Sequence, residues 1–307
     1  MAVSRPFADP GDLPRIRRFL VDVARTAGPV NGCFHVGDLL WGRYMYEDDG
    51  FDPSDRIRIW EGPDAEVLGF AWRYPPSTVE LNVLPQLRGD ARLVTAMLDW
   101  ADERRRSSAT GGNPEPLTTT AFADDAVTAA LLSSSGFART GDPAMLFFTR
   151  DLNGPIPAPV VPAGFAVRSL SGEAEYEERV GLHREVWHPS RVTIGAYRRL
   201  RTIDGYDPDL DLVAVAPDGT FAAYAILWHD EANRTGEFEP VGARPAHRGR
   251  GLTRAVLLEG LRRLRDRGGN LAIVYTPEHN EAARRLYESV GFRVVNRWVS
   301  WERPDRV

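Results

Sequence analysis

The chain has 307 residues, 43% of them hydrophobic, with a formal net charge of −5; the length predicts two domains, and the charge argues against general nucleic-acid binding. No apolar run reaches the length of about 18 residues that a membrane span requires, "MAVSRPFADPGDLPRI" lacks a basic-then-apolar leader pattern, and Cys33 is the only cysteine. A membrane span and an internal disulfide are therefore not expected, and a cytoplasmic enzyme or binding protein fits best.

All 38 basic residues are arginine, as GC-rich codon usage would produce. In chain order, the early segment "FHVGDLLWGRYMYEDDGFD" offers aromatic and polar side chains for a cleft, or serves structure alone. "RIRIWEGPDAEVLGFAWRY" reads as a pair of strands. "LPQLRGDARLVTAMLDWADERRR" reads as a loop running into a helix, "PLTTTAF" as an inner strand, "DDAVTAALLSSSGF" as a helix and "AMLFFTRDL" as a closing strand. Proline-rich "DLNGPIPAPVVPAG" can form neither helix nor central strand and reads as a linker.

The same order then recurs. "EYEERVGLHREVW" is helix-like, and "LDLVAVAPDGTFAAYAILWHD" reads as two strands around an Asp218-Gly219 turn. "TGEFEPVGA" is a further strand. "LTRAVLLEGLRRLRDRGG" sets Leu257, Leu261 and Leu264 on one helical face and stops at glycine. "LAIVYT" is a short buried strand, and "NEAARRLYESVGF" a helix from Asn280 closed by Gly291. The pairs Pro85/Pro245, Arg88/Arg248 and Gly136/Gly291 fall in one order at similar spacing, as a duplication would leave them. The expected division is a first domain over 1–152, a linker over 153–163 and a second domain over 164–307.

The stretch "HRGRGLTRAV" places glycines and arginines at the mouth of a helix. A helix start offers unpaired N–H groups and the positive end of its dipole, together an anion site. Gly249 and Gly251 let the backbone approach a phosphate, while Arg248 and Arg250 complement its charge. A P-loop would need GKS or GKT, and the dinucleotide fingerprint would need glycine where Arg254 stands.

The segment "VGARPAHRGRGLTRAVLLEGLRRL" followed by "NEAARRLYESVGF" resembles the GCN5-related N-acetyltransferases (GNAT). The resemblance implies an α/β (α+β) fold of two tandem GNAT-like domains, each a mixed, mostly antiparallel sheet flanked by helices, as in mycothiol synthase-like tandem members. It further implies that residues 248–253 (Arg248, Gly249, Arg250, Gly251, Leu252, Thr253) hold the pyrophosphate of acetyl-coenzyme A, Thr253 replacing the usual small residue. Strand amides near Val241, Gly242 and Ala243 would receive the pantetheine arm, Asn280 would contact the cofactor, and Tyr287 would stand by the sulfur. The acceptor is expected to be a small-molecule primary amine, with no metal, no nucleic acid and no membrane partner. The chain would act as a monomer built as a pseudo-dimer, or as a homodimer.

An amine must lose a proton before attacking a thioester, so a carboxylate base is needed. Glu237 and Glu239 stand two apart on one strand and share a face; either is a candidate, and the resemblance favours Glu237. Tyr287 can protonate the departing thiolate, or serve as a core aromatic. His188 either lines the cleft or lies on the surface, and Cys33 reads as buried filler rather than a nucleophile. His229, His247 and His279 lack metal-ligand spacing. In the first half Leu132 stands for Tyr287, Asp125 for Asn280, and Ala91 and Leu93 for Gly251 and Thr253, with Asp90 adding charge. That half reads as a degenerate copy that shapes the cleft or replaces a dimer partner. A non-catalytic acyl-coenzyme A sensor, or an enzyme acting on protein amines, are the alternative readings.

Overall fold

The structure, a computed structural model, describes residues 2–45, 52–108 and 114–304. The first half runs β1 (Val3–Pro6), α1 (Asp12–Ala27), α2 (Val36–Met45), α3 (Pro53–Arg56), β2 (Ile57–Glu61), β3 (Val67–Tyr74), β4 (Thr78–Val83), α4 (Ala91–Ser107), β5 (Leu117–Phe122), α5 (Ala126–Ser134), β6 (Ala138–Arg139) and β7 (Met145–Asp151). The second runs β8 (Ala166–Ser169), α6 (Tyr176–Val186), α7 (Ile194–Leu200), β9 (Asp211–Val215), β10 (Phe221–Asp230), β11 (Thr235–Ala243), α8 (Leu252–Asp266), β12 (Leu271–Pro277), α9 (Glu281–Ser289) and β13 (Arg293–Arg303). No helix among the described residues is long and apolar enough to cross a membrane.

The leucine periodicity of the second half becomes α8, whose Leu257, Leu261 and Leu264 are fully buried. The two strands expected around Asp218-Gly219 become β9 and β10, with Gly219 at φ +87°. That left-handed value is one glycine adopts without steric penalty.

All the strands join one mixed, mostly antiparallel sheet in the order β1-β2-β3-β4-β5-β13-β7-β12-β11-β10-β9-β8, with β6 paired to β13. Among the described residues, parallel pairing occurs only at β4/β5 and β11/β12. The centre of the sheet holds an exchange. β7, the last strand of the first half, pairs with β12 of the second, and β13, the last strand of the second half, pairs with β5 of the first. The two exchanged strands pair with each other.

Helices cover both faces. α8 and α9 pack on one side of the second half's strands, and α4 and α5 on the same side of the first half's. α1 lies on the other face of the first half. Beside it, Leu40 and Trp41 of α2 join α6 and α7 over Tyr224, Ile226 and Trp228. Residues 46–51, the tail of the aromatic segment singled out in the sequence, lie outside the described residues.

Candidate functional site

β11 and β12 pair in parallel at only three positions, Thr235↔Leu271, Gly236↔Ala272 and Glu237↔Ile273, and then part. A cavity of about 540 Å³ opens at the parting, bounded by Phe238, Glu239 and Val241 on β11 and by Tyr275, Thr276 and Pro277 on β12. Beyond it, amides of β11 that point away from β10 have no strand partner, leaving donors for a ligand. A bulge in β11 opposite Ala225–Leu227 turns Glu239 into the cavity. The Trp228 indole N–H fixes that bulge by donating to the Glu239 carbonyl at 2.7 Å. A second cavity of about 440 Å³ adjoins the first and shares Trp187, Glu239 and Pro240 with it. Glu239 therefore stands at their junction.

Helix α2 presses onto this strand. Its Gly37 has no room for a Cβ, which would meet the Glu237 carboxylate and lie 2.7 Å from the Trp228 ring. That close approach delivers Asp38, and the carboxylates of Asp38, Glu237 and Glu239 converge within 4.8 Å of one another. Among the described residues this is the one group of acidic or imidazole side chains close enough to embrace a small cation. Glu237 is fully buried; its Oε2 lies 3.1 Å from His35 Nδ1, while its Oε1 has no hydrogen-bond partner among the described residues. His35 Nε2 lies 3.1 Å from Thr235 Oγ1, and its Nδ1 accepts the Gly37 N–H at 3.1 Å. The Tyr275 hydroxyl donates to Asp38 at 3.4 Å.

Three carboxylates so close cannot all remain charged at ordinary cost. Burial, and then the charge of Glu237, push Glu239 up to about 8. Burial, followed by the charges of Glu237 and Glu239, carries Asp38 well above the usual carboxylate range. Tyr275 is raised by burial and by Asp38 and Glu237.

The other end of the cavity collects residues named from the sequence. Asn280 caps α9, its Oδ1 accepting the Ala283 N–H at 3.2 Å, and it lines the cavity together with Ala283 and Tyr287. The Tyr287 ring packs edge-on against Phe148 at 5.7 Å. Its hydroxyl makes no hydrogen bond among the described residues, and burial, then Glu239, raises its pKa. Of the two glutamates proposed from the sequence, Glu239 lines the cavity and Glu237 lies behind it.

Residues 248–253 do not line the cavity; 248–251 form an exposed loop beyond β11, and Leu252 and Thr253 open α8. Gly249 and Gly251 adopt φ +76° and +77°, values that favour glycine. Gly251 is the N-cap of α8 and supplies no side-chain cap, so the helix mouth is open. Leu252 is buried below it. The Arg248 Nε folds back to the Ala243 carbonyl at 3.2 Å, and Arg250 is exposed. His188 is exposed and lines neither cavity, whereas its neighbour Trp187 lines both. Cys33 is buried in the first-half core, away from both.

The matching groove of the first half is filled by its own side chains. Asp90 caps α4, its Oδ1 accepting the Arg92 and Leu93 N–H groups at 2.9 and 3.1 Å. It takes the donors that Gly251 leaves free in α8. Arg88 turns inward, donating to the Asn31 carbonyl and lying 4.0 Å from Asp125. Leu132 is fully buried where the second half has Tyr287. The space left between β4, β5 and α5 is about 40 Å³.

The sequence signalled Glu237, Glu239, Asn280 and Tyr287 through spacing and resemblance. Asp38 and His35 were not singled out: they lie about 200 residues away in the chain, as the His35–Glu237 separation of 202 shows. Their one signal was the aromatic and acidic composition of the segment that holds them.

Comparison with known proteins follows the same lines. The "Acetyltransferase (GNAT) family" model matches residues 174–292. The chain is 32% identical over 247 residues to a mycothiol acetyltransferase of Thermobispora bispora, covering 76% of this chain and 78% of that protein. It is 31% identical to the mycothiol acetyltransferase of Salinispora arenicola, covering 95% and 94%. Among solved structures, a tandem GNAT protein from the clavulanic acid biosynthesis pathway aligns over 99% of this chain and 98% of its own, with TM-score 0.68 and 20% identity. A GCN5-related N-acetyltransferase from Sphaerobacter thermophilus aligns over 100% and 96%, with TM-score 0.65 and 21% identity.

Proposed function

The chain belongs to the acetyltransferase (GNAT) family and is an acetyltransferase; from that premise we propose that its second half transfers acetyl from acetyl-coenzyme A to a primary amine of a small molecule, by direct attack in a ternary complex. The observation that carries this reading is the single cavity that joins a carboxylate cluster able to receive an ammonium group to an unbonded phenol at its other end. The relatives' name, mycothiol acetyltransferase, supports a small-molecule acceptor.

The open mouth of α8 suits the pyrophosphate: backbone N–H groups of residues 249–253 and the guanidinium groups of Arg248 and Arg250 complement its charge. The pantetheine arm then follows β11 past Ala243, Gly242 and Val241 into the cavity, with Asn280 beside it. Free amides of β11 near Val241 polarise the thioester carbonyl as its oxygen gains negative charge. The acceptor enters as an ammonium ion and supplies the charge that Asp38, Glu237 and Glu239 lack. Glu239, the one of the two strand glutamates that lines the cavity, accepts its proton; burial and the charge of Glu237 raise the proton affinity of Glu239.

The neutral nitrogen attacks the carbonyl carbon, a C–N bond forms, and the C–S bond breaks. Tyr287 donates its proton to the departing sulfur, and the products are an acetamide and free coenzyme A. No cysteine lines the cavity among the described residues, consistent with attack on the thioester itself. The domain division at 153–163 and a first half without its own cofactor belong to the same proposal. Calorimetry with acetyl-coenzyme A tests it together with an amine screen read by free-thiol release. One acetyl-coenzyme A per chain and amine-dependent thiol release are expected; absence of uptake removes the reading.

A further inference from the structure

The cavity does not end with the second half. Its lining crosses six neighbouring strands: Glu80 on β4, Thr120 on β5, Trp298 on β13, Met145 on β7, Tyr275 on β12 and Glu239 on β11 each contribute to it. The strand exchange makes this lining continuous, because β13 and β7 bridge the two partings. Glu80 occupies on β4 the place of Glu239 on β11. Each sits on the second strand of an antiparallel hairpin, before a parallel neighbour, and each turns its carboxyl onto the shared face. One cavity thus carries a carboxyl group from a strand of each half.

Glu80 has a single hydrogen-bond partner among the described residues, the Thr120 hydroxyl, which donates to its Oε2 at 2.7 Å. Its Oε1 accepts no hydrogen bond from the described residues. Burial pushes the group up to about 7, against the lowering effect of Thr120. The walls around it are Phe34, Tyr74 and Trp298, faces suited to an aliphatic or cyclic skeleton. Among the described residues no arginine or histidine lines this cavity, although the chain holds 38 arginines, and His183 and Arg191 stand only in the adjoining one. An acceptor carrying a carboxylate or phosphate would find no partner there, and would meet repulsion from the acids.

We propose that Glu80 is a specificity-determining residue of the first half: it binds a second hydrogen-bond-donating end of an elongated, anion-free amine whose reacting nitrogen lies at Asp38 and Glu239. This rests on the acetyl-transfer reading and adds the acceptor's class to it. The second end is an amine or a hydroxyl group, both of which can donate to Oε1 while Thr120 holds Oε2. The degenerate half is then retained as the recognition wall for the acceptor.

The test compares α,ω-diamines, ω-amino alcohols, n-alkylamines and ω-amino acids of matched length as acceptors with acetyl-coenzyme A, read by free-thiol release. The two bifunctional donors are expected to show lower KM than n-alkylamines, and ω-amino acids the highest KM. A hydrogen bond to a charged group predicts that Glu80→Gln raises KM for the preferred bifunctional acceptor by about tenfold or more. Its kcat, its KM for acetyl-coenzyme A and its KM for n-alkylamines should stay unchanged, and Glu80→Asp should restore part of the loss. Whether diamine or amino alcohol loses more identifies the second end as cationic or neutral. Equal KM for mono- and bifunctional amines, or a shift common to all amines in Glu80→Gln, overturns the proposal. Thiol release with no amine at all would instead remove the acetyl-transfer reading, and this inference with it.

Discussion

Glu239 and Tyr287 line one cavity, and each carries a pKa consequence of that setting. With Glu239 pushed up to about 8 by burial and by Glu237, it is largely protonated below that pH and cannot accept a proton there. kcat/KM should therefore fall on the acid side, through the range set by the coupled carboxylates in the free enzyme. Removing a negative neighbour lowers a carboxyl's pKa, so Glu237→Gln should move this acid limb to lower pH. Glu239→Gln should abolish the limb and lower turnover by about 10²–10⁴-fold, the usual range for a lost general base. pH–rate profiles of both variants check this, and an unmoved limb in Glu237→Gln removes Glu237 from the mechanism. Tyr287→Phe should lower kcat by about 10²-fold with little change in acetyl-coenzyme A affinity, because only the departing sulfur requires its proton. Full turnover in Tyr287→Phe reduces that ring to packing against Phe148.

Two helices set the chemistry, and they differ in how readily the sequence disclosed them. The mouth of α8 was legible because its glycines, arginines and leucine periodicity occupy one short stretch. α2 was not, because what it does depends on a strand some 200 residues later: Gly37 lets it lie against Glu237 and Trp228, and only there does Asp38 meet the glutamates. No local period encodes such a meeting. Gly37→Ala should overpack this contact and cost about 1–3 kcal/mol of stability, seen as a lower Tm, and should lower activity as Asp38 withdraws. An unchanged Tm would mean that α2 has slack to spare. At the other helix, the first half suggests its own experiment. Asp90 satisfies the N-terminal amides of α4 with its carboxylate, so Gly251→Asp should do the same at α8 and raise KM for acetyl-coenzyme A by tenfold or more, taking about 1.4 kcal/mol per decade. Gly251→Ala carries the left-handed backbone strain without the charge, and the difference between the two variants isolates competition for the anion site.

On the scale of the molecule, the sequence named β7 as a closing strand and its recurring order implied a counterpart in the second half, but neither reading gave a partner. Nothing in a strand's own sequence states which edge it will join. In the structure each half's last strand sits inside the sheet between elements of the other. Separating the chain at residues 153–163 would therefore leave the first half with β7 unpaired and the second half with β12 unpaired along one edge and β13 without its neighbours. Exposed edges and apolar faces of that kind favour aggregation over folding. The intact protein should accordingly unfold in a single cooperative calorimetric transition, despite its duplicated plan, with the van't Hoff and calorimetric enthalpies equal. The segment 164–307 expressed alone should be insoluble or inactive, and co-expression with 1–152 should restore acetyl-coenzyme A binding as the strands exchange. Two resolved transitions, or an active isolated second half, would show that the exchanged strands are dispensable. The cavity lining from Glu80 to Glu239 depends on those same strands, so loss of their pairing should remove acceptor selectivity before it removes cofactor binding at the distant mouth of α8.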